Sequence, residues 1–151
     1  WKRLYDEVKT FKLAAKKKHI KAILGVGDLE TMRNVAKASL VCMMAGADFI
    51  KTSTGKETIN ANLNNSLVML RMIREFHEIT RKKIGFKPAG GISSAKLVIE
   101  FLILVLEELG SEWINPKFLR IGASSLLIDI ERQLYHFAVG RYANKDKMAI
   151  G

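Results

Sequence analysis

The chain has 151 residues, 48% hydrophobic and 26% charged, a balance that supplies one buried core and excludes a low-complexity or disordered polypeptide. Its single cysteine, Cys42, excludes an internal disulfide, the longest apolar run (residues 101–106) is too short to cross a membrane, and no signal peptide is visible, so the cytoplasm is the expected compartment. The net charge of +10 is spread over helix faces without interleaved aromatics, which points to solvated helices that help draw in an anionic metabolite rather than to nucleic acid or a membrane.

Residues 2–18 place Leu4, Tyr5, Val8, Phe11 and Ala15 on one helical face with lysines opposite, the pattern of an amphipathic outer helix. Trp1 opens this pattern with no approach segment, which reads as an excerpt of a longer chain. Residues 20–25 form a short apolar strand, and Asp28 is the expected N-cap of a helix over 29–45 that ends at Gly46. Gly25-Val26-Gly27 lacks the third glycine of a dinucleotide fingerprint. Cys42, between Val41 and Met43, belongs to the apolar face of that helix. Residues 47–51 read as a buried strand running into the hydroxyl-rich turn Thr52-Ser53-Thr54-Gly55-Lys56, which opens a helix near Lys56. A longer helix over 59–80 follows, buried along Leu67, Leu70, Ile73 and Phe76.

Residues 83–87 repeat the design, an apolar strand ending in a lysine before a Gly-Gly turn. Ser93 or Ser94 caps the next helix, which reaches Leu109 and stops at Gly110. Residues 111–116 are expected as a surface loop that includes Trp113, residues 118–121 as a fourth strand, and residues 126–139 as the last helix, with a loosely held tail from Gly140. None of His19, His77 and His136 has metal-ligand spacing. Strand and helix alternate four times, which implies parallel strands joined by crossovers, with functional groups at the strand C-terminal ends.

Both strand-terminal lysines, Lys51 and Lys87, belong to those ends. If the two strands are neighbours, about 4.8 Å apart, their ammonium groups share one cavity. At about 4 Å and an effective dielectric of about 20, they repel by roughly 4 kcal/mol. That is enough to free one amine of its proton near neutral pH, and a free amine attacks a carbonyl carbon to give a Schiff base. Gly90-Gly91 and Gly122-Ala123-Ser124-Ser125 follow the last two strands, where backbone N–H groups at helix starts suit a phosphate, and Lys56 adds a full charge. Gly55-Lys56 is not a P-loop, because Ile50 stands where the upstream glycine is required.

Three segments, Ala47-Asp48-Phe49-Ile50-Lys51-Thr52-Ser53-Thr54-Gly55-Lys56, Gly85-Phe86-Lys87-Pro88-Ala89-Gly90-Gly91 and Arg120-Ile121-Gly122-Ala123-Ser124-Ser125, resemble the signature segments of the deoxyribose-phosphate aldolases. The resemblance extends to about Tyr142. It implies an α/β fold, the last four units of a parallel (β/α)8 barrel over residues 1–140, with a loosely ordered tail over 141–151. It also implies a class I aldolase that needs neither metal nor cofactor and cleaves 2-deoxy-D-ribose 5-phosphate to glyceraldehyde 3-phosphate and acetaldehyde. Carried over by position, Lys51 is the Schiff-base nucleophile and Lys87 the neighbouring cation that assists it. Lys56, Gly90, Gly91, Gly122, Ser124 and Ser125 surround the phosphate, and Thr54 and Gly55 line the substrate pocket.

The family's proton-shuttling aspartate belongs to a strand upstream of Trp1. Val26-Gly27-Asp28-Leu29 replaces the usual hydroxyl residue, glycine and glutamate, Ser93 replaces a residue that is usually basic, and the tyrosine-ended tail of some members is missing. Expected partners are therefore a small sugar phosphate and either a second copy of the chain or the N-terminal half-barrel. A half-barrel that binds sugar phosphate, or assembles with a partner, without turnover is the alternative.

Overall fold

The computed structural model describes residues 1–144. Five α-helices, three short strands and one 3-10 turn alternate along them. Helix α1, Lys2–Ala15, buries Val8 and packs Leu4 and Tyr5 on the core. It stops short of the expected residue 18, at Lys16 with φ 51°. Phe11, expected on the buried face, is 63% exposed. The end of α1 is instead anchored through Lys12, whose stem faces Gly46 and whose ammonium bonds Asp48 at 2.7 Å.

Strands β1 (Lys21–Ile23), β2 (Phe49–Lys51) and β3 (Gly85–Lys87) form a parallel sheet in that order. Register runs Lys21 to Phe49 to Gly85 and Ile23 to Lys51 to Lys87. Because side chains alternate across a strand, Ala22, Ile50 and Phe86 share one face and enter the main core with Val35, Met69, Ile73 and Val105. Phe49, Lys51 and Lys87 take the other. That division places both lysines on the face opposite the main core.

Helix α2, Met32–Met44, is capped by Thr31, whose Oγ1 accepts from the Asn34 amide at 3.2 Å. Asp28, the expected cap, lies in a turn closed by its own N–H on the Gly25 carbonyl. Cys42 is buried in α2, and burial pushes its thiol up to about 11. Helix α3 runs from Leu63 to Thr80 and starts well after Lys56, because Asn62 has extended backbone and accepts from the Asn65 amide at 2.8 Å. Its buried stripe contains Met69, Leu70, Ile73 and Phe76, with Leu67 only half-buried. Helix α4, Ala95–Leu109, is capped by Ser94 and ends at Gly110.

The expected fourth strand is reduced to two isolated bridges, Leu119 to Phe86 and Gly122 to Ala89. The reason is chemical. Arg120 N–H donates to the Phe86 carbonyl and Gly122 N–H to the Pro88 carbonyl, but the intervening bond would require an N–H from Pro88, which has none. Residues 118–122 still lie alongside β3. Trp113, placed by the sequence in a surface loop, is 4% exposed within the 3-10 turn Ser111–Trp113, and its Nε1 donates to the Ile84 carbonyl at 2.9 Å.

Helix α5, Leu126–Val139, closes the described fold and ends at Gly140 with φ 76°. Tyr142 stacks on His136 with ring centroids 4.2 Å apart. Residues 145–151, most of the expected tail, lie outside the described residues. Among the described residues, no helix is long and apolar enough to cross a membrane.

Candidate active site

The site is built where β2 and β3 end. Thr52 and Ser53, both fully buried, leave β2 and bind the turn after β3. Thr52 Oγ1 accepts from the Ala89 amide at 2.9 Å and lies 3.0 Å from the Ala89 carbonyl. Ser53 Oγ is 2.7 Å from the same carbonyl and 2.8 Å from Asn60 Oδ1, so its one proton serves either acceptor. The Ala61 amide donates to that carbonyl as well. One backbone oxygen thus joins the exit of β2, the following loop and the exit of β3. The hydroxyl-rich stretch visible in the sequence has this structural purpose, which spacing alone did not reveal.

Glycine is required at two of these approaches. Gly90 has φ +91°, and a Cβ there would fall 2.5 Å from Asn60 Oδ1. At Gly122, a Cβ would fall 2.5 Å from the Ala89 Cβ and 3.2 Å from Lys87 Cε. The turn at residues 54–57 is tied by Glu57, whose carboxylate accepts from the Thr54 amide and hydroxyl at about 2.9 Å. Burial alone would raise the Glu57 carboxyl, but the Thr54 amide and hydroxyl, with Ser53 and Gly55, hold it below the ordinary carboxylate range.

These loops enclose a cavity of about 500 Å³. Its walls contain Lys51, Thr54, Gly55, Lys56, Gly90, Gly91, Gly122, Ser124 and Ser125, together with Ala89, Ile92, Ser93 and Ala123. Lys87 is not part of the wall. Its stem passes beneath Gly122, and in register it stands directly across from Lys51. Burial first, then the charge of Lys51, then those of Lys21 and Arg120, hold Lys87 below the ordinary lysine range.

The arrangement therefore sets Lys51 in the wall of a polar cavity edged by glycine backbone, with a lysine of lowered pKa, Lys87, across from it. A lysine amine free of its proton attacks an aldehyde, and the glycine-rich rim with Lys56 can accept an oxyanion. Ser53, Asn60 and Glu57 escaped the sequence reading. Glu57 alone left a signal there, an acid three residues after Thr54 in the form of a capping box.

Residues 1–127 match the model of the DeoC/LacD family aldolases. The chain is 59% identical over 143 residues to human deoxyribose-phosphate aldolase and 60% identical over 143 residues to the mouse protein. In both cases 95% of this chain aligns with 45% of the relative, so the chain spans a little under half the length of the curated relatives it matches. Among solved structures, it superposes on a Toxoplasma gondii protein assigned as a deoxyribose-phosphate aldolase with TM-score 0.80 and 25% identity, covering 86% of this chain and 51% of that one.

Proposed function

Since this chain belongs to the DeoC/LacD family of aldolases, we propose that it carries the Schiff-base centre of a deoxyribose-phosphate aldolase. The observation that supports this most is the pairing of Lys51 with Lys87 at the ends of adjacent parallel strands, with Lys51 in the wall of a glycine-rimmed cavity. In this reading, the free amine of Lys51 attacks the C1 aldehyde of open-chain 2-deoxy-D-ribose 5-phosphate. The carbinolamine loses water to give an iminium ion. A base then takes the 3-hydroxyl proton, the C2–C3 bond breaks, and its electron pair passes into the iminium to form an enamine. Glyceraldehyde 3-phosphate leaves. Protonation of C2 and addition of water release acetaldehyde and restore Lys51. Lys87 tunes the pair and relays protons, while Lys56, Gly90, Gly91, Gly122, Ser124 and Ser125 surround the phosphate, and Thr54 and Gly55 bound the sugar.

The same proposal places the protein in the cytoplasm, where a lone buried thiol such as Cys42 stays reduced. It also has the sheet completed by a second half-barrel, from the same protein or from another copy. The exposed Ile23 on the inner side of β1 is the kind of surface such a half would cover.

Borohydride reduction in the presence of acetaldehyde tests the reading. A stable adduct on Lys51 is expected, absent in Lys51→Leu and reduced in Lys87→Leu. Binding of sugar phosphate with no adduct would leave the half-barrel a binding module and overturn the aldolase assignment.

A further inference from the structure

A second recess, of about 270 Å³, adjoins the main cavity and shares Ser93 and Ser125 with it. Ile128, Asp129 and Arg132 complete its wall. Ser125, Asp129 and Arg132 follow one face of α5, since seven residues are about two helical turns. Arg132 shares the wall of the recess with both serines. Its guanidinium carbon lies 5.6 Å from the Tyr142 ring centroid, and the Tyr142 hydroxyl donates to Gln133 Oε1.

Arg132 Nε is buried and has no hydrogen-bond partner among the described residues. A buried N–H without an acceptor is costly, even on a half-buried arginine. Asp129, one turn back on the same face, is already engaged, its Oδ2 accepting from the Ala95 amide at 2.7 Å, and the adjacent Glu131, whose Oε2 is buried without a partner, makes no ion pair with Arg132 among the described residues.

Charge balance indicates what the main cavity lacks. A phosphate monoester carries about −1.5 to −2 near neutral pH. The main cavity offers two cations, Lys51 and Lys56, and Lys51 must be uncharged to attack an aldehyde. One ammonium then faces nearly two negative charges. We propose that Arg132 is an anion-binding residue that takes phosphate oxygens from the Ser93 and Ser125 side, making the recess the outer half of the phosphate site. This rests on the aldolase reading for the identity of the ligand, though not for its charge. The fork of the guanidinium suits two phosphate oxygens at once, so Arg132 determines the preference for phosphorylated over free sugar.

Titration of the full chain with inorganic phosphate, followed by 31P NMR or calorimetry, tests the assignment. Arg132→Gln is expected to weaken phosphate binding by about tenfold, and Arg132→Lys to recover part of that loss. Binding of unphosphorylated 2-deoxyribose is expected to stay unchanged in both. Ser93→Glu changes an exposed residue at the lip of the recess and is expected to expel phosphate by pairing with Arg132, even if the Arg132 variants fold poorly. Wild-type phosphate affinity in Arg132→Gln, or in Ser93→Glu, would overturn the proposal. Acetaldehyde adduct formation at Lys51 is read separately. Its absence from wild type would sink the aldolase reading while leaving the phosphate result interpretable.

Discussion

Lys51 and Lys87 are register partners across β2 and β3, yet only Lys51 reaches the cavity wall. Burial first, then the charge of Lys51, holds Lys87 below the ordinary lysine range. In the proposed mechanism, an amine in the wall with a lysine of lowered pKa behind it suits Schiff-base formation followed by proton relay.

Adduct formation with acetaldehyde should accordingly rise with pH through an inflection below about 10.4, the ordinary lysine value. The sign follows from the direction of the Lys87 shift, because a lowered lysine releases its proton earlier as pH rises. Lys87→Met should remove the inflection and slow adduct formation at pH 7.5 by about tenfold to a hundredfold. Lys87→Arg should remove it as well, because a guanidinium keeps its proton throughout this range. An unchanged profile in Lys87→Met would separate the two lysines functionally.

Thr52→Val tests the bonds on Ala89. It keeps the shape but removes both contacts of a buried hydroxyl with the Ala89 amide and carbonyl, leaving the amide unpaired at a cost of about 1–3 kcal/mol. Urea denaturation should show that loss, and the acetaldehyde adduct should form more slowly because the exit of β3 is no longer held against β2.

Gly90→Ala and Gly91→Ala should differ. Both have positive φ, but a Cβ on Gly91 meets open space while one on Gly90 strikes Asn60. Gly91→Ala should cost about 1–2 kcal/mol of backbone strain. Gly90→Ala should cost more and displace the loop over residues 53–60, seen as a larger fall in Tm and weaker phosphate binding.

Asp48→Ala should destabilise the fold by about 2 kcal/mol near neutral pH, since Asp48 Oδ2 accepts from Lys12 Nζ at 2.7 Å and from the Ile20 amide at 2.8 Å. Burial alone would raise this carboxyl, but Lys12 and Ile20 bring it below its ordinary value. A lowered carboxyl stabilises the fold above the unfolded pKa, about 3.9, and that contribution disappears as pH falls through the folded value. The gap between wild type and Asp48→Ala in urea midpoint should narrow on acidification below about pH 4.

Much of the site could be read from residue order because its parts are local. A strand of three or four residues ending in lysine, followed by glycine or hydroxyl residues, appears twice, and each copy needs only its neighbours to be recognised. The fourth strand shows a limit of pattern reading. Residues 118–121 have strand character, but Pro88 on the facing strand decides how far the ladder closes, and that is a relation between segments. Trp113 was misplaced for the same reason. Its partner, the Ile84 carbonyl, is 29 residues away, and nothing near Trp113 announces it.

By itself, the order of residues determined the alternation of strands and helices, the strand-end lysines and the glycine turns, because propensity, side-chain alternation and glycine conformation act over a few neighbours. Tertiary structure alone decided that Thr31 and Asn62 start α2 and α3, that Lys87 stands behind the cavity wall, and that Arg132 lines one recess with Ser93 and Ser125. These depend on which backbone groups and charges are brought together across tens of residues. Burial and hydrogen-bond satisfaction are settled between segments only when the chain has packed.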